Sequence, residues 1–262
     1  MDKRIATVIM AAGKGTRMKN PDKAKVLFEV CGKPMIQHVA ELAFTLGSER
    51  VIAIVGFQRE SVIEHVKRSN PLVEFAIQDP QFGTGHAVMQ TESLLRNFEG
   101  DILVLSGDVP LLRVETIHRL FDEHHALDAV ATILTTVIDD PTGYGRVLRG
   151  DDGAVLGVVE HKDASEEEKK VKEINSGIYV FDAKHLFDGL RHITPHNAQN
   201  EYYLPDVFQY FKKERLPIAA VIAEDSNEIR GVNTIEQLLE VEQVLASRWI
   251  ADVAHCQKKL YH

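Results

Sequence analysis

Four short runs rich in β-branched residues, Ile5–Met10 (IATVIM), Arg50–Gly56 (RVIAIVG), Val73–Gln78 (VEFAIQ) and Asp101–Asp108 (DILVLSGD), are separated by stretches of helical periodicity. Those stretches, Met35–Gly47, Ser61–Arg68 and Gly85–Phe98, place apolar residues at three- and four-residue spacing. Apolar strands joined by helices build βαβ units, and a mostly parallel sheet covered on both faces follows. Such sheets bind ligands beyond the C-terminal ends of their strands. Two polar segments fall at such ends: the glycine-rich stretch after the first strand, and Gly107-Asp108 closing the fourth.

The glycine-rich stretch reads VIMAAGKGTRMKNPDKAK over Val8–Lys25. Glycine lets backbone N–H groups approach phosphate because no Cβ intervenes. The stretch lacks the Lys-Ser or Lys-Thr pair of a P-loop. It is not the dinucleotide fingerprint either, because Met18 stands where the third glycine belongs. Taken alone it fits a tight corner as well as a phosphate cradle. Asp108 suits a hard divalent cation that takes one or two protein oxygens plus substrate phosphates, and equally suits a turn before Pro110. Gly83-Thr84-Gly85 offers N–H groups to an anion or a base edge, or marks only a helix entry.

Beyond Asp128–Ile138 the texture changes. Gly143–Asp163 contains two extended runs around Asp151-Asp152-Gly153, a hairpin expected to form a second layer over the half of the chain that carries the glycine-rich stretch. Ser165–Glu173 is a charge run, read as a solvated helix face. Ile174–Ala183 and Ile218–Ala223 read as strands, and Glu201–Glu214 contains a helix with Pro205 near its first turn. Thr234 to about Leu260 is a helical tail whose apolar stripe either packs on its own domain or makes an oligomer contact.

A hydrophobic fraction of 44% with 26% charged residues predicts a sizeable core. The formal charge of −9 argues against general binding of nucleic acid or anionic membrane, so a phosphate ligand must meet local cations or a metal. The two cysteines, Cys31 and Cys256, have neither metal-ligand spacing nor a disulfide framework. No 18-residue apolar run or signal-peptide pattern is present, and the expected location is the cytoplasm.

The segments AAGKGTRM (Ala11–Met18), Lys25, GTGHA (Gly83–Ala87), GDVPL (Gly107–Leu111), DDPTGYGR (Asp139–Arg146), VEHKDA (Val159–Ala164), EINSGI (Glu173–Ile178), NAQNEYYLPD (Asn197–Asp206) and GVN (Gly231–Asn233) follow one another in this order. In residues and order they resemble the bacterial N-acetylglucosamine-1-phosphate uridyltransferases, within the sugar-nucleotide pyrophosphorylase family. The resemblance implies a Rossmann-like, GT-A-like nucleotidyltransferase fold with a sugar-binding β layer and a C-terminal helix. Residues 1–232 would form the catalytic domain and 233–262 the tail. The implied reaction joins UTP and N-acetylglucosamine 1-phosphate to give UDP-N-acetylglucosamine and pyrophosphate, assisted by Mg²⁺.

The resemblance also implies roles. Met10, Ala11, Ala12 and Gly13 would hold the base and the start of the triphosphate, with Gln78, Gly83 and Thr84 reading the pyrimidine. Arg17 and Lys25 would be the catalytic cations, Lys25 also touching nucleotide. Asp108 and Asn233 would hold Mg²⁺, and Gly145, Glu160, Asn175 and Tyr202, with Asn233 again, would hold the sugar phosphate. An ion pair from Glu160 to Lys162 or another neighbour is the alternative for that carboxylate.

Three departures matter. The loop from Arg17 to Lys25 is one residue longer than usual and carries its proline at Pro21, which makes Lys23 a rival to Lys25. Ser106 stands where the family has tyrosine, which opens the sugar pocket to other sugar phosphates. Family enzymes also commonly continue into an acetyltransferase β-helix of hexapeptide repeats; these 262 residues contain none, and acetyl transfer is not expected of them. A pyrophosphorylase for another sugar 1-phosphate or nucleotide, or a binding module without turnover, are the competing readings.

Overall fold

The computed structural model describes residues 3–18, 20 and 22–260, with side chains to residue 250; Pro21 lies outside the described residues. Strand β1 (Ile5–Ala11) is followed by two short strands, β2 (Glu29–Val30) and β3 (Lys33–Pro34), and helix α1 (Met35–Thr45). Next come β4 (Arg50–Val55), α2 (Arg59–Ser69), β5 (Glu74–Ile77), α3 (Thr84–Met89), α4 (Glu92–Leu95), β6 (Asp101–Ser106) and α5 (Val114–Ala126). The second half holds β7 (Ala131–Val137), β8 (Arg146–Arg149), β9 (Val155–Val159), β10 (Glu173–Asp182), α6 (Ala183–Leu190), α7 (Val207–Lys213), β11 (Ile218–Ile222) and α8 (Ile235–Leu260).

The main sheet runs β11-β7-β10-β6-β1-β4-β5. β1 pairs in parallel with both β4 and β6, and β4 with β5, while β10 enters antiparallel between β6 and β7. The chain builds outward from β1 through β4 to β5, then returns to place β6 on the other side of β1. That reversal makes the β1/β6 edge the switch point where a crevice opens beyond the strand ends. Register brings Met10 opposite Ser106, so the glycine-rich loop and Gly107-Asp108 emerge side by side.

Alternation along β1 supplies both faces of the sheet. Ala6 and Val8 face a core with Val88, Leu95, Phe181, Phe208 and Phe211, under α3, α4, α6 and α7. Ile9 and Ala11 face the opposite core, with Ile36, Val39, Val62, Val66, Ile117 and Leu120 from α1, α2 and α5. At about 2 kcal/mol for each fully buried large aliphatic side chain, these two layers supply the main drive to fold.

Three local expectations are revised. The helix expected over 85–98 splits at Gln90-Thr91, because buried Thr91 turns its hydroxyl back to the Val88 carbonyl at 2.7 Å and the backbone tightens to three-residue bonds there. The β8–β9 hairpin forms, turned by Gly153 at φ +81°, but branches from the main sheet through β10 instead of making a separate layer. The charge run holds a single 3-10 turn, Glu168–Lys170, with exposed pairs Lys169–Glu166 and Lys170–Glu167.

The beginning of α8 packs on its own domain: Val241 and Leu245 bury against Met18, Val30, Met35, Leu111 and Val232. Glu242 accepts from the Cys31 amide at 2.9 Å, and Arg248 donates to the Leu111 carbonyl at 2.6 Å. Among the described residues no helix is long and apolar enough to cross a membrane.

Candidate active site

A cleft of about 520 Å³ opens at the β1/β6 edge, lined by Met10, Ala11, Ala12, Gly13, Lys25, Gln78, Gly83, Thr84 and Asp108 among others. The Met10 carbonyl accepts from the Gly107 amide at 2.9 Å, tying the two strand ends together. The loop glycines differ in what they do. Gly15 is required by the protein itself: its φ is +59°, and a Cβ there would lie 2.5 Å from the Lys25 Cβ. Among the described residues, chain neighbours aside, no atom lies within 4 Å of a Cβ built on Gly13, which leaves that backbone open to the cleft.

The Gly15 carbonyl caps the Thr16–Met18 turn, and buried Met18 packs beside Val232. That anchor aims Arg17 across the chain, and its Nη2 donates to Asn233 Oδ1 at 2.9 Å. Lys25 Nζ donates to the same oxygen at 3.0 Å and to Asp108 Oδ2. The Lys25 and Asp108 side chains are only 15% and 12% exposed, so this pair is far better shielded from water than a surface ion pair. Asn233 reaches the cluster because the Val232 amide donates to the Asp108 carbonyl at 3.0 Å and the Asn233 amide to Gln237 at 2.7 Å. Lys23, the rival, instead lies 5.1 Å over the Phe28 ring.

The donor set fits a hard divalent cation. Asp108 Oδ2 and Asn233 Oδ1 converge on one point, shown by the single ammonium that touches both, and Mg²⁺ commonly takes one or two protein oxygens with phosphates completing its shell. Among the described residues no cluster of three or more His, Cys, Asp or Glu side chains suits a softer or fully protein-held metal.

The far wall of the cleft is a clamp between two loops. Gly85 donates to the Tyr202 carbonyl at 2.7 Å, Tyr202 donates to the Phe82 carbonyl at 2.8 Å, and Thr84 Oγ1 accepts from the Leu204 amide at 3.0 Å. Gly83, at φ +99°, would place a Cβ 2.6 Å from the Tyr202 carbonyl oxygen. Glycine at this position serves contact between loops. Gln78, 4% exposed, donates to the Gly83 carbonyl at 2.9 Å, which fixes the orientation of its amide.

Gly145, Glu160 and Asn175, expected at the sugar phosphate, meet one another: the Gly145 carbonyl accepts from the Asn175 amide at 2.9 Å, and a Cβ on Gly145 would lie 3.1 Å from Glu160 Oε1. Asn175 Oδ1 accepts from the buried Tyr179 hydroxyl at 2.9 Å, so the aromatic core orients it. Lys162 turns to Gln199 at 2.6 Å, away from the alternative pairing with Glu160. Burial first, then repulsion from Asp206 and Asp163, pushes the Glu160 carboxyl above the usual range, with Arg146 opposing. Tyr202 takes part through its backbone, while neighbouring Tyr203 lies with Glu160, Asp163 and Asp206 around a second cavity of about 490 Å³.

Three residues of this region went unassigned in the sequence reading. Gln81 donates to the Ala12 carbonyl at 2.6 Å and braces the glycine-rich loop from across the cleft. Arg146, at the start of β8, is 1% exposed and donates to the Tyr144 carbonyl, so the hairpin carries a buried cation. Asp206 is pushed up to about 6 by burial and, second, by Asp163. Arg146 and Asp206 end two of the quoted segments, and Gln81 lies just before Gly83–Ala87; a polar residue next to a glycine or proline was the available signal.

Asp206 yields a pH prediction. A folded-state pKa above the unfolded value near 3.9 means that the folded chain holds this proton more readily, so its contribution to stability falls as pH rises from about 4 through about 6. Asp206→Asn is expected to raise the urea midpoint at pH 7.5 more than at pH 5; an equal gain at both would contradict the assignment.

Residues 6–249 match the nucleotidyl transferase family. Over 248 residues the chain is 47% identical to the bifunctional protein GlmU of Geobacillus thermodenitrificans strain NG80-2 and to that of Listeria innocua serovar 6a, and 48% identical to that of Geobacillus sp. strain WCH70. Each alignment covers 95% of this chain and 53% of the relative, so the chain spans about half the length of the curated relatives it matches. A crystal structure of UDP-glucose pyrophosphorylase complexed with UDP-glucose shares the fold, with a TM-score of 0.74 at 17% identity over 95% of this chain and 100% of that one. With the strand order, the cleft at the switch point and this match over most of its length, the chain belongs to the nucleotidyl transferase family.

Proposed function

We propose that the chain is a uridylyltransferase that joins UTP and N-acetylglucosamine 1-phosphate, releasing pyrophosphate and forming UDP-N-acetylglucosamine in the cytoplasm. The observation that carries this reading is the meeting of Arg17, Lys25, Asp108 and Asn233 at a glycine-walled cleft on the β1/β6 edge. The identity of nearly half of all aligned residues with the GlmU proteins supports the choice of base and sugar.

The chemistry needs no general base. A sugar 1-phosphate with a second pKa near 6 is mostly ionised at neutral pH, so its oxygen can attack the α-phosphorus directly. The side chains must hold two anions in line and meet the charge gathering on departing pyrophosphate. Arg17 offers a planar fork able to span two phosphate oxygens, and Lys25 a mobile point charge. Mg²⁺ held by Asp108 and Asn233 would withdraw charge from the triphosphate oxygens. Open backbone at Gly13 lets the nucleotide approach, while Gln78, Gly83 and Thr84 close the pyrimidine end.

Glu160 would accept from sugar hydroxyls. Glu160→Gln is expected to raise the KM for the sugar phosphate by roughly 10- to 100-fold, the worth of one hydrogen bond to a charged group, leaving the KM for UTP within about threefold. Initial-rate kinetics in both substrates check this, and an equal change in both KM values would remove Glu160 from the sugar site.

A panel of UTP, dTTP, CTP and GTP, each with N-acetylglucosamine 1-phosphate, glucose 1-phosphate and galactose 1-phosphate, tests the specificity. UTP with N-acetylglucosamine 1-phosphate should have the highest kcat/KM. Preference for GTP or dTTP would overturn the base, and preference for glucose 1-phosphate would trace to the room left by Ser106 in the cleft wall.

A further inference from the structure

Lys25 touches the two oxygens that suit a divalent cation, Asp108 Oδ2 and Asn233 Oδ1, and Arg17 takes the same Asn233 oxygen. An amide oxygen has two lone pairs, so both are engaged by cationic donors. A divalent cation bonds such oxygens at about 2.1 Å, closer than an ammonium, and two like-charged cations crowded on one oxygen pair repel strongly in a shielded site. The Lys25 ammonium stands between the same two oxygens that a divalent cation would bridge, so the two compete for one position.

We infer that Lys25 is an internal counter-cation that competes with the divalent metal for Asp108 and Asn233 and must leave them before the metal binds. Its stem lies across Gly15, and the residue lines the cleft, so the ammonium has somewhere to go: the phosphates of a nucleotide lying along that loop. Metal and triphosphate then favour each other, because each removes what holds Lys25 against the other's site. The inference rests on the metal assignment proposed above, which the same experiment checks separately.

The experiment is a Mn²⁺ titration without nucleotide, read by the electron paramagnetic resonance signal of free Mn²⁺, on the wild type, Lys25→Met, Lys14→Met and Asp108→Ala. Methionine keeps the apolar stem of the lysine, and circular dichroism verifies folding. Lys25→Met should bind Mn²⁺ at least roughly tenfold more tightly than the wild type. Lys14→Met, which removes a cleft charge that does not touch the two oxygens, should stay within about threefold. Asp108→Ala should abolish the site. Equal or weaker binding by Lys25→Met, or an equal gain from Lys14→Met, overturns the competition while leaving the metal site standing. Unchanged binding by Asp108→Ala overturns the metal assignment itself.

Discussion

Asp108→Ala is expected to lower kcat/KM for pyrophosphate release by roughly 10²- to 10³-fold, the range found when one electrostatic stabiliser of a transition state is removed. The side chain is 12% exposed, pairs with Lys25 and ends the strand beside the glycine-rich loop. Alanine removes the only carboxylate of the cluster and leaves Lys25 anchored by Asn233 alone. Asp108→Asn separates charge from shape: it keeps an oxygen acceptor and nearly the same volume, and should lose almost as much activity as alanine. Steady-state kinetics on both variants, with urea denaturation to confirm folding, are the measurement. A rate within threefold of the wild type for either one would show that the carboxylate is structural.

The second large effect concerns Gly83. Alanine there must adopt φ near +99° and would bring a Cβ to 2.6 Å from the Tyr202 carbonyl oxygen, so the two loops must separate. Backbone strain of about 1–3 kcal/mol, added to the clash, gives an expected loss of roughly 2–4 kcal/mol in stability. Nucleotide affinity should fall with it, because Gln78 donates to the Gly83 carbonyl and Thr84 accepts from Leu204 across the same seam. Gly13→Ala makes the contrast. Its Cβ meets no atom of the described residues within 4 Å, chain neighbours aside, so stability should stay within about 0.5 kcal/mol while the KM for UTP rises. Equal destabilisation by the two substitutions would refute the division of labour between these glycines.

That division also shows what was readable from sequence. β1, β4, β5 and β6 were legible because each is an apolar run bounded by turn residues, and the hairpin because Asp-Asp-Gly is a turn with a mechanism. The position of β10 was not, because its insertion between β6 and β7 pairs residues some 40 to 80 positions apart and leaves no local signature. Thr91 broke a helix that periodicity favoured, since a buried hydroxyl found its acceptor in the preceding turn. At the site, segments after strands were readable as ligand loops, yet Gly83 and Gly85 turned out to face Tyr202, and Gln81 and Arg146 act on backbone carbonyls that only the folded chain brings near.

Incubation of the wild type with UTP, N-acetylglucosamine 1-phosphate and Mg²⁺, followed by mass-spectrometric quantification of nucleotide products, decides whether the chain transfers uridylyl to this sugar phosphate. UDP-N-acetylglucosamine and pyrophosphate are expected in equal amounts, with UTP stable when the sugar phosphate is omitted. UTP hydrolysed without a nucleotide sugar, or tight binding of UDP-N-acetylglucosamine with no turnover under any metal condition, would contradict that transfer.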